Sequence, residues 1–314
     1  MYQRTALDES GMVTLAQGTV WAIVLHYRLW RETVQCVLSL LDSDYGDLQV
    51  LVVDNGSADD SAVELERHLD RRVKLLTLPE NRLYGGGMNA GLTCALEQGA
   101  DWLLILNNDT FVAPDMVTRL VHTAQSNLEV GAVAPLVYYA SEPTRVWNAG
   151  GRRRRFWPFA HQLGQTGYEM GRSEEPIDID YATGCAMLLS RTVLERVGLF
   201  DPRYRMYYED ADLCERINHE GYRILIDPQA HMWHLVGRTA ATIPAPNRYH
   251  RVRNRWRFYM AHTQGVSKAL AALLLLGQEG LRGLAYAAKG SHVLARAQWD
   301  GLLDSLRNGD GRHG

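Results

Sequence analysis

One feature constrains this chain more than any other. Between residues 20 and 137, short continuous apolar runs alternate with stretches of helical spacing. The apolar runs are TVWAIVLHY (19–27), LQVLVVD (48–54), RVKLLTL (72–78), DWLLILNND (101–109) and VGAVAPLVY (130–138). Between them lie WRETVQCVLSLL (30–41), a helix-like stretch with Ser57 or Asp59 as its N-cap, MNAGLTCALEQG (88–99) closed by Gly99, and PDMVTRLVHTAQ (114–125) opened by Pro114. A strand that is apolar along its whole length must be covered on both faces. Strand–helix alternation of this kind predicts an α/β fold with a mostly parallel, Rossmann-like sheet flanked by helices.

Beyond residue 150 the pattern changes. Residues 150–176 hold GGRRRR, aromatics, further glycines and an acidic SEEP, too long for an idle loop. Regularity returns with a strand at CAMLLS (185–190), helices at TVLERVG (192–198) and ADLCERINHEG (211–221), and a strand at YRILID (222–227) that Pro228 is expected to stop. From Arg248 to about Leu306 the spacing is helical. The chain therefore divides into a tail (1–18), an α/β domain (19–247, with halves 19–138 and 139–247) and a C-terminal helical extension (248–314). Lys plus Arg number 33 against 36 Asp plus Glu. A nucleic-acid binder is expected to carry a basic excess, so that class is set aside. Cys36, Cys94, Cys185 and Cys214 form no C-x-x-C pair and read as reduced thiols. The polar N-terminus does not read as a signal peptide, and the longest apolar run, 269–276, is too short to span a bilayer. The expected location is the cytoplasm or the inner face of its membrane.

In open α/β sheets ligands bind beyond the carboxyl ends of the parallel strands. Those ends carry His26 and Tyr27, then Asp54 and Asn55, then Asn81 ahead of Gly85-Gly86-Gly87, then Asn107, Asn108 and Asp109. The glycine run fits G-x-G-x-x-A, but it follows the third strand and not the first. A dehydrogenase is therefore disfavoured, while a phosphate or sugar hydroxyl approaching Gly86 and Gly87 at a helix N-terminus is retained. A second cluster, Glu209, Asp210 and Asp212, opens a helix. Capping explains part of it, and a general base raised by acidic neighbours explains the rest. His231 and His234 follow. Asp109, the acidic triplet and His234 are all candidates for one divalent site.

With these residues in hand, the chain resembles glycosyltransferase family 2, of the GT-A nucleotide-sugar-binding fold, and within it the rhamnosyltransferase-like branch. VLHY, LVVDNGSADDS, PENRLYGGGMNAG, LLILNNDT, the stretch 180–234 and YHRVRNRWRFYMAH carry the resemblance in order over residues 19–265. It implies that Asp54 contacts the nucleotide base, that Asn89 lies near the sugar and diphosphate, and that Asp109 is the last acid of the D-x-D metal motif. It implies further that Asp210 is the catalytic base and that His234 helps hold metal or diphosphate. Asn107 departs from the first Asp of D-x-D, and His26 stands where relatives often carry Asn. The implied activity is metal-dependent (Mg²⁺ or Mn²⁺), inverting transfer of a deoxysugar, rhamnose by the branch, from a nucleotide diphosphate. The acceptor would be a hydroxyl of a glycan or lipid-linked molecule in cell-surface polysaccharide synthesis.

Two other classes compete: a nucleotidyltransferase that makes a nucleotide-sugar, and a non-catalytic sugar-nucleotide-binding partner. Residues 150–176 are expected on the acceptor side, with Arg152–Arg155 available to a phosphate. Five arginines in 248–257 fit either an anionic membrane surface or a helical subdomain packed on the catalytic domain or in a homodimer. Leu270, Leu273, Leu274 and Leu281 read as an ordinary packing stripe.

Overall fold

The computed structural model describes residues 5–7, 13–15, 18–153, 160–162, 174–236 and 244–307. In chain order the elements are β1 (Val20–His26), α1 (Trp30–Leu41), β2 (Leu48–Asp54), α2 (Ser61–His68), β3 (Lys74–Thr77), α3 (Leu83–Glu97), β4 (Trp102–Asn107), β5 (Thr110–Val112), α4 (Met116–Gln125), β6 (Val130–Tyr139) and β7 (Glu142–Asn148). There follow β8 (Ile177–Ile179), β9 (Ala186–Ser190), α5 (Arg191–Val197), α6 (Glu209–His219), β10 (Arg223–His234), α7 (Pro244–His262), α8 (Gly265–Ala288) and α9 (His292–Arg307). Two short ribbons, Thr5–Leu7 with Val13–Leu15 and Gly151–Arg153 with Ala160–Gln162, stand outside the main sheet.

That sheet runs β8-β10-β6-β9-β4-β1-β2-β3, with β5 paired to β10 and β7 to β6. Strands β3, β2, β1 and β4 are parallel, with His26 opposite Asp54 and Leu25 opposite Asn107. Strand β9 inserts antiparallel between β4 and β6, so the fifth apolar run is not the neighbour of the fourth. Strand β10 runs parallel to β6 and continues past Pro228 to His234 through an irregularity between Asp227 and His231. Proline is tolerated there because a bulge needs no ladder donor at that position. This extension carries His234 to the edge where β4 ends.

Alternating residues of β1 face opposite cores, as strand geometry dictates. Trp21, Ile23 and Leu25 pack with Met88 and Leu92 of α3 and with Leu213 and Ile217 of α6. Val20, Ala22 and Val24 pack with Val37 and Leu40 of α1, Leu65 of α2 and Leu120 of α4. Each fully buried Leu or Ile contributes roughly 1.5–3 kcal/mol, so the double-sided core fixes the register of the strand ends. A third cluster joins Tyr204 to Phe258 and Tyr259 of α7 and to Leu275 of α8.

The glycine run is placed differently from expectation. Helix α3 begins at Leu83, so Gly85–Gly87 lie inside it and do not precede it. A Cβ on Gly87 would come within 2.7 Å of Leu25 Cδ1 and 2.8 Å of Asn55 Cγ, and one on Gly91 within 2.5 Å of Ile23 Cγ2. These glycines let the helix lie directly on the sheet. Helix α2 likewise takes Asp60 as its N-cap, neither Ser57 nor Asp59.

Candidate active site

A cavity of about 530 Å³ opens at the carboxyl edge of β1, β2 and β4. Its wall includes Tyr27, Asn55, Asn81, Asn107, Asn108, Asp109, Glu209, Asp210 and His234. Nine residues singled out by sequence therefore meet in one space, although they span more than two hundred positions.

Three local networks set the strand-end groups. His26 is buried, and burial lowers its pKa to about 4, so it is a neutral imidazole. Its Nδ1 lies 2.7 Å from Thr33 Oγ1, which accepts from Asn108 Nδ2 at 2.9 Å and donates to the Leu29 carbonyl. His26 thus reaches the cavity through Thr33 and Asn108. Asn55 Nδ2 donates to Asn81 Oδ1 and to the Leu83 carbonyl, while its Oδ1 accepts from Arg82 N, which orders the approach to α3. Asp54 is buried and its carboxylate accepts from Ser57 N at 3.1 Å.

Asp109 follows β4 in a tight turn into β5, and β5 pairs with the end of β10. That pairing brings His234 Nε2 to 3.1 Å from Asp109 Oδ1, with both groups buried. Burial opposes a charge on His234, but Cys185 and Asp109 beside it hold its pKa up at about 10. Its Nδ1 has no hydrogen-bond partner among the described residues. No group of three or more His, Cys, Asp or Glu gathers to hold a metal among the described residues. One carboxylate, one imidazole and an adjacent cavity fit a magnesium-like ion, which takes one or two protein ligands and completes its shell with substrate phosphates and water. Cation binding there would release the imidazole proton.

The acidic pair lines the same cavity. Asp210 Oδ2 accepts from Tyr181 OH and from Gly184 N, each at 2.9 Å, and its Oδ1 accepts from Ala211 N at 2.8 Å. Burial raises both carboxyls, and for Glu209 the charge of Asp210 adds to it. Glu209 Oε2 has no partner among the described residues. The three donors favour the ionised form at Asp210. Of the two, Glu209 is pushed the harder toward its neutral form, by burial and by the charge of Asp210.

The segment that presents this pair is strained. Arg205, Tyr207 and Tyr208 all adopt left-handed backbone angles, with φ of 60°, 67° and 72°. Non-glycine residues pay for that conformation and hold it only when their surroundings over-determine it. Here the brace is Asn254 of α7, fully buried, whose amide donates to the carbonyls of Tyr204, Met206 (2.7 Å) and Tyr207 (2.9 Å). Arg253 and Arg257 donate to the Arg203 carbonyl beside it. The same helix lends Asn247, His250 and Arg251 to the cavity wall, with the Arg251 guanidinium 4.2 Å over the ring of Tyr207. Burial, with Arg253 and Arg205 nearby, lowers the His250 pKa to about 4.

Other residues singled out by sequence lie away from the cavity wall. Asn89 accepts from Phe200 N and donates to Phe200 O, bolting α3 to the loop after α5. Asp212 bonds Arg216 and His262 and ties α6 to α7. Burial works to raise its pKa, and those two partners outweigh it and hold it low. Gly86 faces the Arg82 side chain, and Gly87 packs on β1 and Asn55. Arg248 and Arg255 bind Glu279. The arginine-rich stretch is thus largely turned inward. Most of residues 150–176, the segment expected on the acceptor side, and the side chains of Arg153–Arg155 lie outside what is described. Arg152 donates to the Asp178 carbonyl. Sequence reasoning missed Thr33, Tyr181, Asn247, His250, Arg251 and Asn254.

Residues 21–198 match the sequence model described as glycosyl transferase family 2. The chain belongs to glycosyltransferase family 2. Along 272 residues it is 26% identical to an N-acetylglucosaminyl-diphospho-decaprenol L-rhamnosyltransferase of Mycobacterium tuberculosis, covering 80% of this chain and 84% of that one. It is 21% identical over 252 residues to the dTDP-rhamnosyl transferase RfbF of Shigella flexneri, covering 76% and 78%. This glycosyltransferase shares its fold with a mannosyltransferase from Pyrobaculum calidifontis solved with GDP-Man and Mn²⁺ (TM-score 0.57, 17% identity, 99% of this chain and 92% of that one). The architecture is GT-A, and the family member is rhamnosyltransferase-like.

Proposed function

We propose that this glycosyltransferase moves a deoxysugar, rhamnose in the first instance, from a nucleotide diphosphate to an acceptor hydroxyl with inversion at the anomeric carbon. The acceptor class that fits is a glycan or a lipid-linked diphosphate sugar of cell-surface polysaccharide synthesis. The relatives named for rhamnosyl transfer, one of them for a decaprenol-linked acceptor, support that choice. The observation that carries the reading is the convergence of Asp109, His234, Glu209 and Asp210 on the wall of one cavity.

The nucleotide lies along the ends of β1 and β2, near Asp54, Asn55 and Asn81, and the diphosphate lies toward Asn107–Asp109. Asp109 and His234 would hold a divalent cation, which would supply positive charge against the departing diphosphate. Asp210, ionised and fixed by three donors, takes the proton of the acceptor hydroxyl as its oxygen attacks the anomeric carbon. One carbon–oxygen bond forms on the far face while the bond to the diphosphate breaks, and the nucleotide diphosphate leaves with the electron pair. Glu209 turns the carboxyl oxygen that has no partner among the described residues to a substrate hydroxyl. His250 and Arg251 form the α7 wall around the acceptor.

The test is release of nucleoside diphosphate and glycosylated product from a panel of nucleotide-sugars with Mn²⁺. Asp210→Asn is expected to lose transfer by about a thousandfold or more while donor still raises the melting temperature. Undiminished turnover in that variant overturns the assignment of the base. Pyrophosphate release from a nucleoside triphosphate marks a nucleotidyltransferase instead.

A further inference from the structure

We propose that Tyr84, in the first turn of α3, is a positioning residue for Asp210. The proposal rests on Asp210 acting as the base. Its starting point is Gly184, which donates its N–H to Asp210 Oδ2 at 2.9 Å. The hydroxyl of Tyr84 donates to the carbonyl of that same glycine. A Cβ on Gly184 would come within 2.9 Å of the Tyr84 hydroxyl oxygen and 3.4 Å of Asp210 Cβ. Gly184 is thus clasped between the tyrosine and the aspartate, where a side chain of its own has no room. Glycine has more backbone freedom to lose than any other residue. Holding its carbonyl removes that freedom and keeps its N–H aimed at the carboxylate.

Tyr84 is itself held from both flanks. Leu83 before it stands in the left-handed region, with φ of 58°, which a leucine keeps only when its surroundings impose it. Asn81 Oδ1 accepts from Leu83 N at 2.7 Å, and Asn55 Nδ2 donates to the Leu83 carbonyl at 3.0 Å. Gly85 after it donates its N–H to the Arg205 carbonyl at 3.0 Å, and a Cβ there would lie 3.9 Å from Glu209 Cβ. One helical turn therefore reaches both segments that fix the acid pair, Gly184 through Tyr84 and Arg205 through Gly85. The Tyr84 ring meets Phe200 edge-on, with centroids 5.9 Å apart. Burial, with the charges of Glu209 and Asp210 nearby, holds the pKa of Tyr84 well above the ordinary tyrosine value, so the hydroxyl stays a donor. Loss of that hydroxyl frees Gly184 to turn, and one of the three donors to Asp210 loosens. The supports of Asn55 and Asn81 are left as they are.

The probe is dTDP-rhamnose with Mn²⁺, with water standing in for the acceptor, and the readout is dTDP release by the full chain. Tyr84→Phe keeps the ring on Phe200. It is expected to lower kcat about tenfold with the donor KM changed by less than about twofold. In the Asp210→Asn background the same substitution is expected to cost nothing further, because Tyr84 acts through that carboxylate. Should Tyr84→Phe fail to fold, Gly184→Ala takes its place with the same two readouts, since its Cβ wedges against the hydroxyl. Tyr84 also borders the cavity, so a rise in donor KM that accounts for the whole loss would make it a donor contact and overturn the proposal. An unchanged kcat overturns it too, and so does a full further loss in the Asp210→Asn background, which is what a merely structural tyrosine would give. Turnover by Asp210→Asn at the parent rate, or no dTDP release by the parent, overturns the reading beneath the proposal and the proposal with it.

Discussion

The two walls of the cavity are built by different means. On one wall, Tyr27, Asn107, Asn108 and Asp109 hang from the ends of parallel strands that two cores grip from both sides. On the other, Glu209 and Asp210 follow three left-handed residues held in part by Asn254 of α7, with Gly85 N donating to the Arg205 carbonyl. The first wall lies inside the residues that match the family model, and the second lies beyond them. The difference teaches that the sheet positions the wall proposed for the donor, whereas the wall proposed for the base also draws on α7. The C-terminal helices are in that sense part of the site.

The largest effect that could break this comparison is at the donor wall. Asp109→Asn removes the one carboxylate beside His234. Because substitutions one layer behind a metal ligand already cost 10–100-fold, this change is expected to lower transfer by at least about 100-fold. Titrating Mn²⁺ against nucleoside diphosphate release checks it, and excess metal should restore part of the rate. Full activity without added metal would show that the wall needs no cation. At the base wall, Asn254→Ala frees three carbonyls and relaxes residues 205–208. Its kcat is expected to fall by about 10–100-fold with the donor KM little changed, since the strand-end groups keep their own supports. A rise in donor KM of the same size would mean the two walls are not separately built.

These differences also explain what could be read in advance. Apolar runs ending in His26, Asp54 and Asp109 were legible because a strand buried on both faces must break into polar residues where it emerges. The acidic pair was legible by local density. The brace was not, because Tyr207 and Asn254 lie far apart in sequence and an asparagine within an arginine-rich helix resembles a solvated surface. Gly87 misled for a physical reason: a helix pressed against a sheet and a loop wrapped around phosphate both demand the absence of a Cβ. Leu273 and Leu281 misled because periodicity finds an apolar stripe without saying which side it faces. A buried Glu279 was the missing signal, and Arg248 and Arg255 of α7 with Arg282 of α8 were its trace.

Tyr181→Phe sharpens the comparison at smaller scale. The base works only when ionised, and burial raises its pKa, so activity should fall with decreasing pH already above the ordinary carboxylate range. Tyr181 donates to Asp210 Oδ2 and favours the charged form. Its removal raises the pKa further and is expected to move the acid limb of kcat/KM to higher pH, with little change on the plateau. The same profile measured for Asp54→Asn should keep the limb where it is, because that carboxylate is bound by Ser57 N at the end of β2 and makes no contact with Asp210.

The smallest effect concerns the support behind the donor wall. His26 is neutral when folded, with a pKa of about 4, against about 6.5 when exposed. The unfolded chain takes up the proton first, so stability is intact above about pH 6.5 and is lost as pH falls toward 4. The loss is about 2 kcal/mol by pH ~5 and at most about 3 kcal/mol below the folded value, from 1.36 kcal/mol per unit. His26→Asn retains a donor for Thr33 and removes the titration. Urea unfolding at two pH values, one near neutrality and one near 5, should show the parent losing stability between them by that amount more than the variant. Equal losses would mean that another buried group, and not His26, sets the acid sensitivity of the donor wall.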